Sequence, residues 1–321
     1  MKSGNLVNVQ VGAGSGSDNT FGSKIRDTIK AGDLILRDLG YFNFEDFLDV
    51  ERKEAFYISR LKPNIAVYIE NDNIEYYKNG APRKSTLFKR IYISEIMKQV
   101  SDGERYEIKD VYVGKEKTLK TRLILYKLTR KQLKKRSEKS EKNAKKKGIE
   151  KSDNTIELLG ISIYKTNIQE AVLSAEQVHE FYSLRWQVGI IFKTWKSIYH
   201  IHGVKRVKIE RFQRQLYEKL ILLLLSSTVM FKMRTLVLEN RGLETSEIKA
   251  SEIVHEYIDR LYFELVKFPS RTFNTLKLVF ENVVKNGLKS QRNDKKTVLI
   301  YLGFVINKHQ VGLKSQHKPT Q

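Results

Sequence analysis

The chain has 321 residues, 40% hydrophobic and 10% aromatic, enough for a real core and incompatible with wholesale disorder. Lys and Arg number 59 against 37 Asp and Glu, a formal net charge of +22, so the chain will associate with polyanions. It has no cysteine, which excludes disulfides, thiolate zinc sites and a cysteine nucleophile, and suits a reducing cytosol.

Residues 1–4 carry no apolar run of the kind a secretory signal needs. Residues 1–20 are rich in Gly, Ser and Asn and read as a strand end and a loop. Gly12, Gly14 and Gly16 imitate a phosphate loop, but no Lys-Ser/Thr follows them. Residues 33–38 form a short apolar run closed by turn chemistry at Leu39-Gly40, which predicts a buried strand. Residues 44–53 read as a helix and 55–61 as a second strand. Short β-type runs follow at 66–70, 91–96, 106–113 and 121–126. With Asn79-Gly80 and Asp102-Gly103 as turns between them, they predict a β-rich module.

Residues 127–151 hold twelve Lys or Arg and three Glu, the pattern of a solvated helix or of an arm laid along a phosphate backbone. Residues 156–165 predict one more strand, after which the chain turns helical. Ser174 and Gln177 fit a capping box that opens a helix running to Tyr199. A longer helix over 209–239 is stopped by Asn240-Arg241-Gly242. Helical stretches at 245–266 and 271–286 precede a basic tail, 291–321. Residues 220–231 are the most apolar run, but twelve residues fall short of the roughly 20 that span a bilayer. They predict a buried core helix in a soluble protein. His200 and His202, two residues apart with no third ligand nearby, read as a surface turn.

On a helical wheel with Tyr182 at zero, Arg185 falls at about −60°, Lys196 at about −40°, Gly189 at about −20° and Lys193 at about +20°. Phe181, Val188, Phe192, Trp195 and Tyr199 fill the adjoining sector. The 174–199 helix therefore reads as largely buried, with one narrow stripe of Tyr, Arg and Lys that suits a ligand. Gly189 stands mid-helix on that stripe, where glycine costs about 1 kcal/mol relative to alanine. Close helix packing or the loss of a former side chain would account for it. Glu176 and Glu180 lie at about 120° and 160° and do not project where Gly189 does.

Tyr182-x2-Arg185-x3-Gly189-x6-Lys196 resembles the Tyr-x2-Arg-x3-Glu-x6-Lys signature of bacterial DDE transposases of insertion sequences (family four, the branch common in Bacillus). Asp38-Leu39-Gly40-Tyr41-Phe42 is similar to that family's second catalytic motif. The resemblance covers about residues 3–285. It implies an α/β fold with a partial RNase-H-like, retroviral-integrase-like catalytic core, a β-rich insertion and a helical C-terminal part. The implied division is 1–61 for the first part of the core and 62–166 for the insertion with its basic arm at 127–151. The helical part occupies 167–290, followed by the tail.

The ancestral activity so implied is cut-and-paste DNA transposition, with Mg²⁺ (Mn²⁺ as substitute) driving phosphodiester hydrolysis and strand transfer. Asp38 would be the second acid of the triad and a metal ligand, and Gly189 stands where the catalytic Glu belongs. Tyr182, Arg185, Lys193 and Lys196 would hold DNA. The first acid is expected upstream of this chain, since Asp18, Asp27 and Asp33 sit in the wrong context. These departures predict an N-terminally truncated, inactive protein with impaired metal binding. Its partners would be double-stranded DNA, the transposon's inverted-repeat ends and a second copy in a homodimer, with no membrane. It would reside in the bacterial cytoplasm on the nucleoid. The other reading is a non-catalytic DNA-binding regulator or inhibitor of transposition.

Overall fold

The computed structural model describes residue 8 and residues 23–39, 43–62, 64–114, 116–117, 119–148, 158–203 and 207–290. The loop expected before residue 20, the Gly12 to Gly16 run, Asp18, the Gly40-Tyr41-Phe42 part of the acid motif and the basic tail lie outside the described residues. The chain divides into two compact units, Gln10–Arg185 on one side and Trp186–Gln321 with Met1–Val9 on the other.

The first unit is mixed α/β. Strands β1 (Leu34–Arg37), β2 (Phe56–Arg60), β3 (Val67–Glu70), β4 (Phe88–Ile91), β5 (Arg105–Val113), β6 (Leu119–Lys127) and β7 (Ile161–Thr166) form one sheet. Its order is β1-β2-β7-β6-β5-β3-β4. β1 and β2 run parallel, and every other pairing is antiparallel. Helix α1 (Phe44–Arg52) makes the crossover between the parallel strands; the Asn43 side chain caps it by accepting from Glu45 N at 3.1 Å.

Alternation along the strands divides the core. Tyr57, Leu123, Leu125 and Ile163 meet Phe47 and Val50 of α1 on one face. Ile58, Ile124, Tyr126 and Tyr164 take the opposite face with Val178 and Tyr182 of α4 (Ala175–Ser183).

Two expectations need correction here. The run at 91–96 is not a strand: β4 ends at Ile91 and α2 (Ile93–Lys98) follows. Ile93 and Met97, four apart, are both buried while Glu95 and Lys98 are exposed, a helical period inside a run of β-favouring residues. Asp102-Gly103 consequently joins a helix to β5, with Gly103 at φ 87°. The second correction concerns the helix of 174–199, which is broken. α4 tightens at its end, where Leu184 N donates to Phe181 O at 3.0 Å and Arg185 N to Tyr182 O at 3.1 Å, both three residues back. Helix α5 (Trp186–Ser197) then starts anew.

The second unit holds α5, α6 (Ile209–Arg241), α7 (Glu247–Lys267) and α8 (Pro269–Asn286). Gly242, left-handed at φ 60°, ends α6 as its position predicts. Met230, Met233 and Val237 of α6 pack with Ile253, Val254 and Leu261 of α7 and with Val279 and Val283 of α8. The apolar part of α6 is longer than the twelve-residue run. By length and composition it could cross a membrane, with a window of mean hydropathy 1.7, 39% of it buried inside the protein.

Lys165 of β7 is fully buried, and its ammonium lies 3.1 Å from the Phe47 ring centre, with Phe44 and Tyr57 at 5.7 Å. Burial holds it well below its ordinary value of 10.5; Arg37 adds to this and Glu51 opposes it. The unfolded chain keeps the ordinary value, so between the two it binds a proton that the folded chain has released, and stability rises with pH there. Lys165→Met is expected to remove that rise. It should also stabilise the fold, by no more than the roughly 1–4 kcal/mol seen when buried ion pairs give way to apolar side chains of similar volume. Urea denaturation of both proteins from pH 7 to 10 checks this.

Candidate active site and nucleic-acid face

Asp38 directly follows β1, beyond the carboxyl ends of the two parallel strands, where open α/β sheets bind their ligands. Its Oδ1 accepts from Leu39 N at 2.8 Å, and its Oδ2 accepts from Arg185 Nη1 at 3.0 Å. Both side chains are partly exposed. The Arg185 guanidinium also lies 5.7 Å from the Tyr182 ring centre. Tyr182 packs on Tyr164 at 5.2 Å between centroids, and Tyr164 OH shares a 2.9 Å hydrogen bond with His179 Nδ1.

Tyr182 is only 6% exposed and its hydroxyl has no hydrogen-bond partner. It is pushed up to about 12, chiefly by burial; Asp38 adds to the rise, while Arg185 and Arg60 pull the other way. Burial, then the charge of Arg105, lowers His179. The site therefore combines one carboxylate, one guanidinium engaged with it, and a buried phenol that keeps its proton.

The structure brings together only part of the expected stripe. Tyr182, Arg185 and Asp38 share the first unit. Gly189, Lys193 and Lys196 belong to α5 in the second, and the break at residues 184–185 means one wheel does not describe both groups. Nor is α5 a buried helix. Among its described residues Thr194 is buried, whereas Trp186, Val188 and Phe192 are 66%, 47% and 49% exposed. Lys193 and Lys196 are exposed.

Glu176 accepts from Ser174 Oγ at 3.1 Å and pairs with Arg105 at 3.5 Å. Asp33 accepts from Lys30 N in a turn, and Asp27 lies in the 3-10 turn Ser23–Thr28. His200 takes a left-handed φ of 46° in a turn.

The basic run resolves into α3 (Arg130–Lys147), a helix capped at both ends. Thr129 and Gln132 form a full capping box, and Gly148 closes the helix at φ 60°. Leu133, Arg136, Ser137, Ser140 and Ala144 are its half-buried face. Arg136 donates to Leu159 O, Ile161 O and Ser162 Oγ. Lys131, Lys134, Lys135, Lys139, Lys142, Lys145 and Lys146 are all exposed, and fall within an arc of about 140° on the opposite side. The solvated-helix reading holds, and its solvent side is a cationic stripe.

An acid thus lies at the mouth of a parallel strand pair, reached by a guanidinium from just beyond the end of a later helix. The chain belongs to the DDE-domain transposase family, whose model, Transposase DDE domain, matches residues 1–225. It is similar to the transposase for insertion sequence element IS231B of Bacillus thuringiensis subsp. berliner, 42% identical over 305 residues, which are 95% of this chain and 64% of that relative. The IS231C transposase of the same subspecies is 41% identical over 318 residues, 99% of this chain and 66% of the relative. The IS1151 transposase of Clostridium perfringens is 37% identical over 302 residues, 94% and 64% respectively. The chain thus spans just under two thirds of the length of these relatives. The seven-stranded mixed sheet is consistent with the RNase-H-like fold of the family.

DDE domains use divalent metal ions, and the donors here do not fit one well. Asp38 offers one carboxylate already engaged by Arg185, and position 189 offers no donor atom. Among the described residues no group of three His, Cys, Asp or Glu is placed to hold a metal ion. Mg²⁺ takes oxygen ligands in octahedral geometry, usually one or two carboxylates together with waters.

Gly189 has nothing within 4 Å of the position a Cβ would take, so close packing does not demand a glycine there. Gly189→Ala is therefore expected to stabilise the protein by about 1 kcal/mol through helix propensity alone. A lowered urea midpoint for the variant would show that Gly189 is there for packing after all.

Proposed function

We propose that the chain is the DNA-binding part of an insertion-sequence transposase whose strand-transfer chemistry is silent. The ancestral reaction is cut-and-paste transposition, and the observation that carries the reading is the Asp38–Arg185 pair at the end of β1. Within this proposal residues 1–61 and 167–290 derive from the RNase-H-like core, and 62–166 are an insertion that extends the sheet beyond β2. Asp38 is the second acid of the triad and the remaining metal ligand, so Mg²⁺ or Mn²⁺ binds weakly. Tyr182, Arg185, Lys193 and Lys196 hold phosphates. The planar fork of Arg185 suits two phosphate oxygens and the lysines act as point charges. The partners are double-stranded DNA, with the transposon ends as its specific form, and a second copy in a homodimer. The place of action is the cytoplasm, on the nucleoid.

The net charge of +22 and the lysine arc of α3 support binding that is electrostatic and largely indifferent to sequence. The logarithm of affinity is expected to fall linearly and steeply with the logarithm of salt concentration, by about 0.9 per phosphate neutralised on a duplex. A fluorescence anisotropy titration across several salt concentrations measures the slope, and a flat dependence would sink the reading. On a plasmid carrying the transposon ends, the chain is expected to bind without nicking in Mg²⁺. Nicking would overturn the silent site.

Asp38 and a phosphate compete for Arg185 under this reading. Asp38→Asn is expected to tighten duplex binding several-fold, since the substitution removes a negative charge from the phosphate's seat. Weaker binding by Asp38→Asn in the same titration would place Arg185 outside the DNA contact.

A further inference from the structure

Arg60 closes β2, and the sequence pattern gave it no role. The register pairs Arg37 with Ser59 across the parallel strands, so the next positions, Asp38 and Arg60, stand side by side at the carboxyl end of the sheet. Ile58 packs on the α4 face, and with side chains alternating along a strand Arg60 takes the same face. Arg60 is also the register partner of Tyr164, which packs on that face against Tyr182.

Arg60 is only half-buried, but its Nε is fully buried and has no hydrogen-bond partner. Among the described residues no carboxylate pairs with it. The groups its charge acts on are Arg136, Tyr164, His179 and Tyr182: one cation, two phenols and an imidazole lowered by burial. Arg136 is already satisfied by two carbonyls and a hydroxyl. Arg185 is joined to Asp38, and the buried Tyr182 hydroxyl is unpartnered.

On the face where Arg185 pairs with Asp38, two donors, Arg60 Nε and the Tyr182 hydroxyl, thus lack acceptors. Leaving a buried donor without an acceptor costs about 1–3 kcal/mol, more for a charged group. An oxyanion would relieve both.

We propose that Arg60 is a phosphate-binding residue, receiving one DNA backbone phosphate beside Asp38 together with Arg185 and the Tyr182 hydroxyl. This rests on the DNA-binding reading above and adds a contact absent from its motif residues.

The experiment compares the unmodified chain with Arg60→Gln, both checked for folding by circular dichroism, on a duplex of about 20 base pairs and arbitrary sequence. The variant is expected to bind about tenfold more weakly at low salt, as loss of a charge-assisted hydrogen bond implies, with a salt slope smaller by about one. If the unmodified chain itself shows no salt-dependent binding, the DNA-binding reading falls and this proposal with it. If it binds and Arg60→Gln matches its affinity and slope, this proposal alone falls.

Should the variant not fold, phenylglyoxal modification of the unmodified chain, read by mass spectrometry at Arg60, decides the matter. The duplex is expected to slow modification several-fold, an effect reversed by high salt, while inorganic phosphate at equal phosphate concentration does not. Equal rates with and without duplex overturn the proposal. Protection by inorganic phosphate alone would make the Arg60 position a free-anion site and overturn it as well.

Discussion

The register of β2 between β1 and β7 is the constraint from which the rest of the first unit follows. Its alternation sends Tyr57 to the α1 face and Ile58 to the α4 face. A slip by one residue would exchange these sets and carry Arg60 away from Asp38 and Tyr182. The Asn167 side chain pins the start of the strand, accepting from Tyr57 N at 2.9 Å and donating to Ala55 O at 2.9 Å. A short strand of five residues therefore fixes both the core and the approach to the acid.

The two faces handle charge differently. On the α1 side, Asp46 is buried and answers two cations, Arg26 at 2.6 Å and Arg37, while Lys165 sits among aromatic rings. On the α4 side Arg185 pairs with Asp38, while the buried Tyr182 hydroxyl and Arg60 Nε have no hydrogen-bond partner.

Most of the first unit was legible because its strands are short, alternating and bounded by turn residues, and because Ser174 announces its helix chemically. The run at 91–96 misled because Ile and Tyr favour strands locally, while the burial of Ile93 and Met97 together is a tertiary fact. The break after Ser183 carries no Gly or Pro to mark it; it comes where Leu184 is buried and Arg185 reaches Asp38, both long-range effects. Asp38, Tyr182 and Arg185 came from the resemblance to the transposase motifs, with Tyr182 and Arg185 also marked by the polar stripe on the helical wheel. Arg60 was missed because a lone arginine at a strand end has no pattern, although the alternation of residues 55–61 already put it on the face of Ile58.

The lysine face of α3 has a consequence for how the chain behaves on its own. Lys131 and Lys135, Lys135 and Lys139, and Lys142 and Lys146 are neighbours four residues apart, and like charges at that spacing oppose the helix. Its capping box and left-handed glycine hold against a repulsion that counterions relieve. Salt therefore acts on this protein in two opposite senses, firming the helix while loosening its hold on a polyanion. A duplex bound along α3, as proposed above, would both screen and occupy the lysines, and would so link helix order to DNA occupancy thermodynamically.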